Sequence, residues 1–139
     1  MIHISNVLGN VFTFIRGDGR QFTIAVDMLA TAAYGVVPPI PVNISREQGE
    51  VFAVENAVEP HRLARIGLRE LAEPIMLLDM EDGTHTLVDG SHRYVVAARM
   101  GLKVLPGWII AKQDWMPYRV SGMPKLRRDH LQTMYSGID

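Results

Sequence analysis

The pattern of apolar and polar positions is clearest between Thr84 and Ala111, where it predicts a strand, a turn, a helix and a second strand. Thr84–Val88 is rich in β-branched residues and predicts a strand, which an Asp89-Gly90 turn then ends. Lys103–Ala111 predicts the second strand. The helix between them has an inward face whose residues recur at helical spacing: Tyr94, Ala97, Ala98 and Gly101. Gly101 is also suited to end this helix in a left-handed conformation.

The N-terminal part of the chain shows the pattern of a β-hairpin. Val11–Ile15 and Gln21–Val26 are β-rich runs on either side of a glycine-containing turn. Asp27 is then placed to cap a short helix over residues 28–33. We interpret this hairpin as an addition that precedes the core of the fold.

The middle of the chain predicts strands and one helix. Val36–Ile44 contains three prolines and fits an edge strand, and Val51–Glu55 fits another short strand. Pro60–Leu71 predicts a helix, because proline suits its first turn and apolar residues recur at helical spacing. Pro74–Met80 is strongly apolar and predicts a central strand that forms a hairpin with Thr84–Val88.

These elements predict an α/β (α+β) protein with a small mixed sheet flanked by helices and an N-terminal β-hairpin addition. A length of 139 residues fits a single domain. Its parts are the hairpin and short helix over residues 1–35, the core over residues 36–111 and a C-terminal tail over residues 112–139.

Composition limits the possible functions. Hydrophobic residues make up 47% of the chain, which is enough for a sizeable core, and the formal net charge of −1 provides no global basic field for nucleic acid. The absence of cysteine argues against disulfides and thiol chemistry. No apolar run reaches membrane-spanning length and no signal peptide is evident, so we expect a cytoplasmic protein without a membrane partner.

The candidate chemistry lies at the turn before the predicted helix. Ser91 can cap that helix, and the free N–H groups of its first turn, together with the positive end of its dipole, are natural anion ligands. Gly90 lets a ligand approach the backbone closely. Arg93 is unfavourable for the helix dipole unless a ligand phosphate accepts a bidentate contact from it. The turn therefore predicts a phosphate site.

Two further side chains at this turn have both a functional and a purely structural interpretation. Asp89 can hold a magnesium ion that bridges phosphates, or it can serve only as the first residue of an Asp-Gly turn. His92 can bind a phosphate or act as an acid or base near neutral pH. Alternatively, the hydrogen bonds of its ring can be satisfied by groups at the start of the helix. For the whole stretch, an ordinary βαβ unit with a surface arginine is the alternative.

The run Asp89-Gly90-Ser91-His92-Arg93, followed by Ala97-Ala98, Gly101-Leu102 and Val104-Leu105-Pro106, resembles the signature of the ParB/sulfiredoxin superfamily. The resemblance is clear over residues 74–110 and weaker back to about residue 37. It implies binding of ATP or another nucleotide with Mg²⁺, for phosphoryl transfer or nucleotide hydrolysis, with the phosphates on Gly90, Ser91, His92 and Arg93.

The resemblance also bears on catalysis. Ser91 stands where sulfiredoxins carry their catalytic cysteine, so sulfiredoxin activity is excluded for a chain without cysteine. In the free-serine kinases of this superfamily an upstream glutamate is implicated as the base. Glu55 and Glu59 both lie in the region that corresponds to it, and each can equally be a solvated carboxylate.

Two other functions agree with the resemblance. One is a ParB-like DNA-binding protein or nuclease, and the other is a non-catalytic phage or plasmid binding or inhibitor module. The helix-turn-helix domain of ParB does not fit into residues 112–139, but the basic and aromatic tail can contact DNA. We favour instead a tail that packs in separate pieces, with Trp115 and Tyr118 buried against the domain or a homodimer partner and a short helix over residues 125–134.

Overall fold

The computed structural model describes residues 1–7, 9–15 and 19–122, and the chain divides into two compact units. The first takes in Met1–Ala32 and residues 115–122; the second is Ala33–Asp114, which begins with the last residue of a helix that otherwise lies in the first unit. The predicted fold class, a small mixed α/β (α+β) protein with sheets flanked by helices, is confirmed. In the described part of the chain, no helix is both long and apolar enough to cross a membrane.

The elements follow one another in a simple order. The first unit contains β1 (Ile2–His3), β2 (Val11–Ile15), β3 (Gln21–Ala25) and α1 (Val26–Ala33). The second contains β4 (Ile40–Asn43), α2 (Arg46–Glu55), α3 (Pro60–Leu63), α4 (Leu68–Leu71), β5 (Ile75–Asp79), β6 (His85–Asp89), α5 (Ser91–Arg99) and β7 (Val104–Ile110). The short helix α6 (Lys112–Trp115) and the strand β8 (Val120–Ser121) follow.

In the first unit, β2 and β3 pair in antiparallel fashion, so the predicted hairpin is confirmed. Trp115 is fully buried, as predicted, and it meets the rings of Phe14 and Phe22 edge-on at centroid distances of 6.3 and 5.9 Å. Tyr118 is only partly buried. The helix predicted over residues 125–134 lies outside the described residues. Asp27 falls inside α1 rather than capping it, because its carboxylate accepts a hydrogen bond from the N–H of Asn10 at 2.8 Å.

In the second unit, a four-stranded mixed sheet has the order β4-β7-β5-β6. The pair β5–β7 is parallel, whereas β4–β7 and β5–β6 are antiparallel. The predicted central strand and its hairpin with the next strand are therefore confirmed, and β5 is buried from Ile75 to Leu78. The proline-containing strand β4 lies at the sheet edge, as its prolines predicted.

Two predictions for the middle of the chain are wrong. Val51–Glu55 is not a strand but the second half of α2, which begins after Ser45, whose hydroxyl accepts a hydrogen bond from the N–H of Gln48 at 3.1 Å. Pro60–Leu71 is not one helix but the two short helices α3 and α4. The break lies at Gly67, which is extended and donates its N–H to the Glu70 carboxylate at 2.8 Å.

The helices α2 and α5 pack closely on one face of this sheet. Gly49 allows the close approach, because a Cβ atom there would lie 2.8 Å from the Cβ of Ala98. The rings of Phe52 and Tyr94 meet edge-on at 5.0 Å, and the Tyr94 hydroxyl accepts a hydrogen bond from the Ser45 N–H at 3.2 Å. This packing fixes the position of α5, whose first turn carries the candidate site.

Candidate functional site

The turn between β6 and α5 depends on a glycine. Gly90 has a φ of +95°, which side-chain-bearing residues rarely adopt, and a Cβ atom there would lie only 2.5 Å from Cγ2 of Ile75. Gly90 is also the N-cap of α5, and as a glycine it provides no side-chain hydrogen bond to the helix. The prediction that Ser91 is the cap is wrong, because Ser91 is already the first residue of the helix.

The start of α5 therefore has the electrostatic character of an anion site. The first N–H groups of a helix have no acceptor within the helix, and the helix dipole adds a partial positive charge at the same end. In α5 these groups belong to Ser91, His92 and Arg93, since the N–H of Tyr94 already donates to the carbonyl of Gly90 at 2.8 Å. An anion with several oxygens matches this arrangement.

Arg93 is held by the protein itself. Its Nη1 atom donates to the carbonyl oxygens of Glu73 at 2.7 Å and Pro74 at 2.9 Å, and its Nη2 atom lies 3.5 Å from Oδ2 of Asp89. Its side chain is only 15% exposed. Arg93 thus joins the segment before β5 to the end of β6, and its charge is compensated by Asp89 without any ligand.

Asp89 ends β6 beside the turn, and its side chain is 45% exposed. Within the described ranges, no group of three or more His, Cys, Asp or Glu side chains is placed to hold a metal ion. A single carboxylate still fits Mg²⁺ when phosphate and water oxygens complete the coordination. The available donor set therefore fits a nucleotide-bound magnesium ion rather than a metal held by protein alone.

His92 forms a contact that the sequence did not indicate. Its Nε2 atom accepts a hydrogen bond from the backbone N–H of Glu59 at 3.1 Å. Burial lowers the pKa of His92 below its ordinary value, the positive charges of Arg62 and His61 act in the same direction, and Glu59 opposes them. The neutral imidazole is therefore favoured near pH 7, with its proton on Nδ1.

The two candidate bases lie on either side of the loop between α2 and α3. Glu55 is the exposed last residue of α2. Glu59 is the N-cap of α3, and its exposed carboxylate lies 3.4 Å from Nε2 of His61. The structure thus brings Glu59 to His92 through its backbone, while its carboxylate faces another histidine.

Sequence reasoning missed the groups that surround these side chains. The carbonyls that hold Arg93 carry no side-chain signal in the sequence. The charge of Arg62 acts on His92 from α3, and its only sequence cue was its place among the basic residues of that helix.

The chain was compared with protein-family models, with curated proteins and with solved structures, and none of them matches it. The resemblance to the ParB/sulfiredoxin superfamily therefore stays a prediction. The interpretation of the site depends on the geometry of the Asp89–Arg93 turn.

Proposed function

We propose that this chain is a ParB/sulfiredoxin-like nucleotide-binding protein that holds the phosphates of ATP or another nucleotide at the Gly90–Arg93 turn. Its activity would be Mg²⁺-dependent phosphoryl transfer or nucleotide hydrolysis. The observation that carries the proposal is Gly90, a left-handed glycine that is the N-cap of a nine-residue helix and provides no side-chain hydrogen bond to it. Such a start leaves backbone N–H groups free for phosphate oxygens.

Each residue of the turn has a definite role in this proposal. The N–H groups of Ser91, His92 and Arg93 bind phosphate oxygens, and Nδ1–H of His92 can donate a further hydrogen bond. Arg93 contributes positive charge and keeps the turn in place through its two carbonyl contacts. Catalysis would then consist mainly of positioning and charge neutralisation.

A bound magnesium ion would add charge neutralisation, with Asp89 and the phosphates as its ligands. Of the two candidate bases, Glu59 has the stronger support, because its own backbone contacts His92. Glu55 is supported only by its place at the end of α2.

A second candidate function is anion or nucleotide binding without catalysis. It is favoured by the contacts at the turn: Asp89 and Arg93 pair with each other, and Nε2 of His92 already accepts a hydrogen bond. Side chains that are engaged in this way suit a rigid binding site. Phosphate release from a bound nucleotide separates the two functions, because only the catalytic protein turns the nucleotide over.

A thermal-shift panel of ATP, ADP, CTP, GTP and short DNA, each with and without Mg²⁺, tests the proposal. A nucleotide at a hundred times its Kd should stabilise the fold by about 2.7 kcal/mol and raise the Tm. Ser91→Asp places a carboxylate at the open helix start, so it should compete with phosphate and abolish this shift, whereas the matched variant Ser91→Asn should keep it.

Two results of this panel would contradict the proposal. One is the absence of a shift with every nucleotide, and the other is a Ser91→Asp variant that responds like the native chain. A shift with DNA alone that is lost steeply as salt is added would support the DNA-acting alternative instead.

A further inference from the structure

The loop Asn56–Glu59, between α2 and α3, has an unfavourable conformation. Ala57 has a φ of +49°, a left-handed value that costs energy for a residue with a Cβ atom. The side-chain nitrogen Nδ2 of Asn56 is buried, and it has no hydrogen-bond partner among the described residues. Ala57 nevertheless belongs to a regular left-handed helix end, because the N–H groups of Ala57 and Val58 donate to the carbonyls of Val54 and Ala53.

Most backbone hydrogen bonds of this loop return to the helix that precedes it. The N–H groups of residues 56–58 donate to carbonyls of α2, at Phe52, Val54 and Ala53. The N–H of Glu59 instead donates to Nε2 of His92 at 3.1 Å, across 33 positions of sequence. This hydrogen bond joins the loop to the first turn of α5.

The acceptor in this contact depends on protonation. An imidazole nitrogen accepts a hydrogen bond only in its unprotonated form, and both ring nitrogens are donors in the imidazolium. Protonation of His92 would place two N–H groups opposite each other, so the contact would become repulsive.

We propose that His92 is a pH-sensitive latch: its neutral imidazole holds the loop Asn56–Glu59 against α5, and its protonation releases the loop. The latch stands on the Glu59–His92 contact, which joins the last residue of the loop to the first turn of α5. It does not depend on the proposed nucleotide function.

The charges around His92 favour release of the loop, because on balance they do not compensate the positive charge of the imidazolium. Arg62 and His61 of α3 oppose the imidazolium, and the Glu59 carboxylate, which favours it, lies beside His61. Two acidic groups on the other elements packed against α5 are engaged elsewhere: Glu50 of α2 pairs with Arg99 at the far end of α5, and the Glu70 carboxylate of α4 accepts a hydrogen bond from the N–H of Gly67. Glu47 and Glu55 of α2 are exposed, and Asp79 of β5 accepts a hydrogen bond from the N–H of Glu81.

The direction of the pH dependence follows from these surroundings. Burial and Arg62 hold the pKa of His92 below its ordinary value of about 6.5, which the ring regains when the loop opens. The closed loop therefore has its full stability above about pH 6.5 and loses it as the pH falls toward the lowered pKa. The equilibrium for opening rises about tenfold for each unit that separates the two pKa values.

The test is the hydrogen-exchange protection of the Glu59 amide in the full chain, corrected for intrinsic exchange, from about pH 8 to about pH 5. We expect protection to begin to fall at about pH 6.5 and to level off once the pH has passed the midpoint of the NMR titration of the His92 ring. His61→Gln should keep this response, because it removes only the neighbouring histidine.

Two further variants separate the latch from a general loss of stability. His92→Gln supplies an acceptor that does not titrate. In this variant, hydrogen-exchange protection of the Glu59 amide should stay constant through the pH range in which the native His92 ring titrates. His92→Ala should lose protection at every pH. Native protection that stays constant through the titration of His92, or His92→Ala with native protection, would overturn the proposal.

Discussion

The helices α2 and α5 pack against each other, yet their N-termini are built in opposite ways. At the start of α2, the hydroxyl of Ser45 accepts a hydrogen bond from the N–H of Gln48 at 3.1 Å, which fills one position that a helix leaves open. At the start of α5, the cap is Gly90, which has no side chain to offer. The cap residue of α2 thus supplies a side-chain acceptor to the helix, and the cap residue of α5 supplies none.

The reason for this difference lies in the neighbouring strand. A side chain at position 90 would collide with Ile75 of β5, which a Cβ atom would approach to 2.5 Å. Close packing at the turn therefore requires glycine, and the open helix start is its consequence. The proposed phosphate binding would use that helix start, and mutations can test the packing and the binding separately.

The largest effect should follow from Gly90→Ala. The left-handed backbone costs about 1–2 kcal/mol for a non-glycine residue, and the contact with Ile75 adds about 1–3 kcal/mol of overpacking. Chemical unfolding should show the combined loss. The matched control is Gly101→Ala, which has a similar φ of +84° but no atom within 4 Å of the added Cβ, and it should lose only the backbone contribution.

An equal loss of stability in the two glycine variants would show that packing against Ile75 does not determine the turn. The open start of α5 would then need an explanation other than space. A clearly larger loss for Gly90→Ala supports the packing argument.

The next effect should come from Arg93→Ala. Removal of the guanidinium leaves the carbonyls of Glu73 and Pro74 without this donor and Asp89 without its cation, which should lower the free energy of unfolding by about 2–4 kcal/mol. The sequence alone, which places Arg93 unfavourably for the helix dipole, predicts instead that the substitution leaves folding nearly unchanged. Urea unfolding distinguishes these two expectations, and Arg65→Ala, which removes an exposed arginine, is the control.

If Arg93→Ala unfolds at the same urea concentration as the native protein, the three contacts contribute nothing to the free energy of unfolding. Arg93 would then be available as the phosphate ligand that the sequence predicted. Loss of nucleotide affinity in such a stable variant would support that role.

The smallest effect should come from Ser45→Ala. Loss of a side-chain cap should lower the free energy of unfolding by about 1 kcal/mol, and Ser45→Asp should restore it, because aspartate is also a good cap. Neither variant should change nucleotide or phosphate affinity, since the proposed phosphate site lies at the start of α5 and not of α2. A change of affinity in Ser45→Ala would mean that the two N-termini are not independent.

Local signals were sufficient to predict much of the second unit. The Asp89-Gly90 turn and the helix end at Gly101 each depend on a few neighbouring residues, and the structure shows both. At Gly101 the N–H groups of Gly101 and Leu102 donate to the carbonyls of Ala98 and Ala97, as expected for a left-handed helix end. Signals of this kind do not depend on distant parts of the chain.

Other features could not be read in this way. The strand predicted over Val51–Glu55 is helical, and the cue was Ser45 with Gln48 three residues later, the spacing of a capping box. The partners of Arg93 are backbone carbonyls about 20 residues away, and the partner of His92 is a backbone N–H, so no side-chain pattern reveals them. Long-range contacts to the backbone are where sequence reasoning fails for this site.

The most direct test of the phosphate site is an NMR titration of backbone amides with inorganic phosphate and then with MgATP. We expect saturable shifts at Ser91, His92 and Arg93, at the start of α5, and none at Gln48 of α2, whose N–H donates to the Ser45 hydroxyl. Equal shifts at both helix starts, or saturation without any shift at α5, would contradict it.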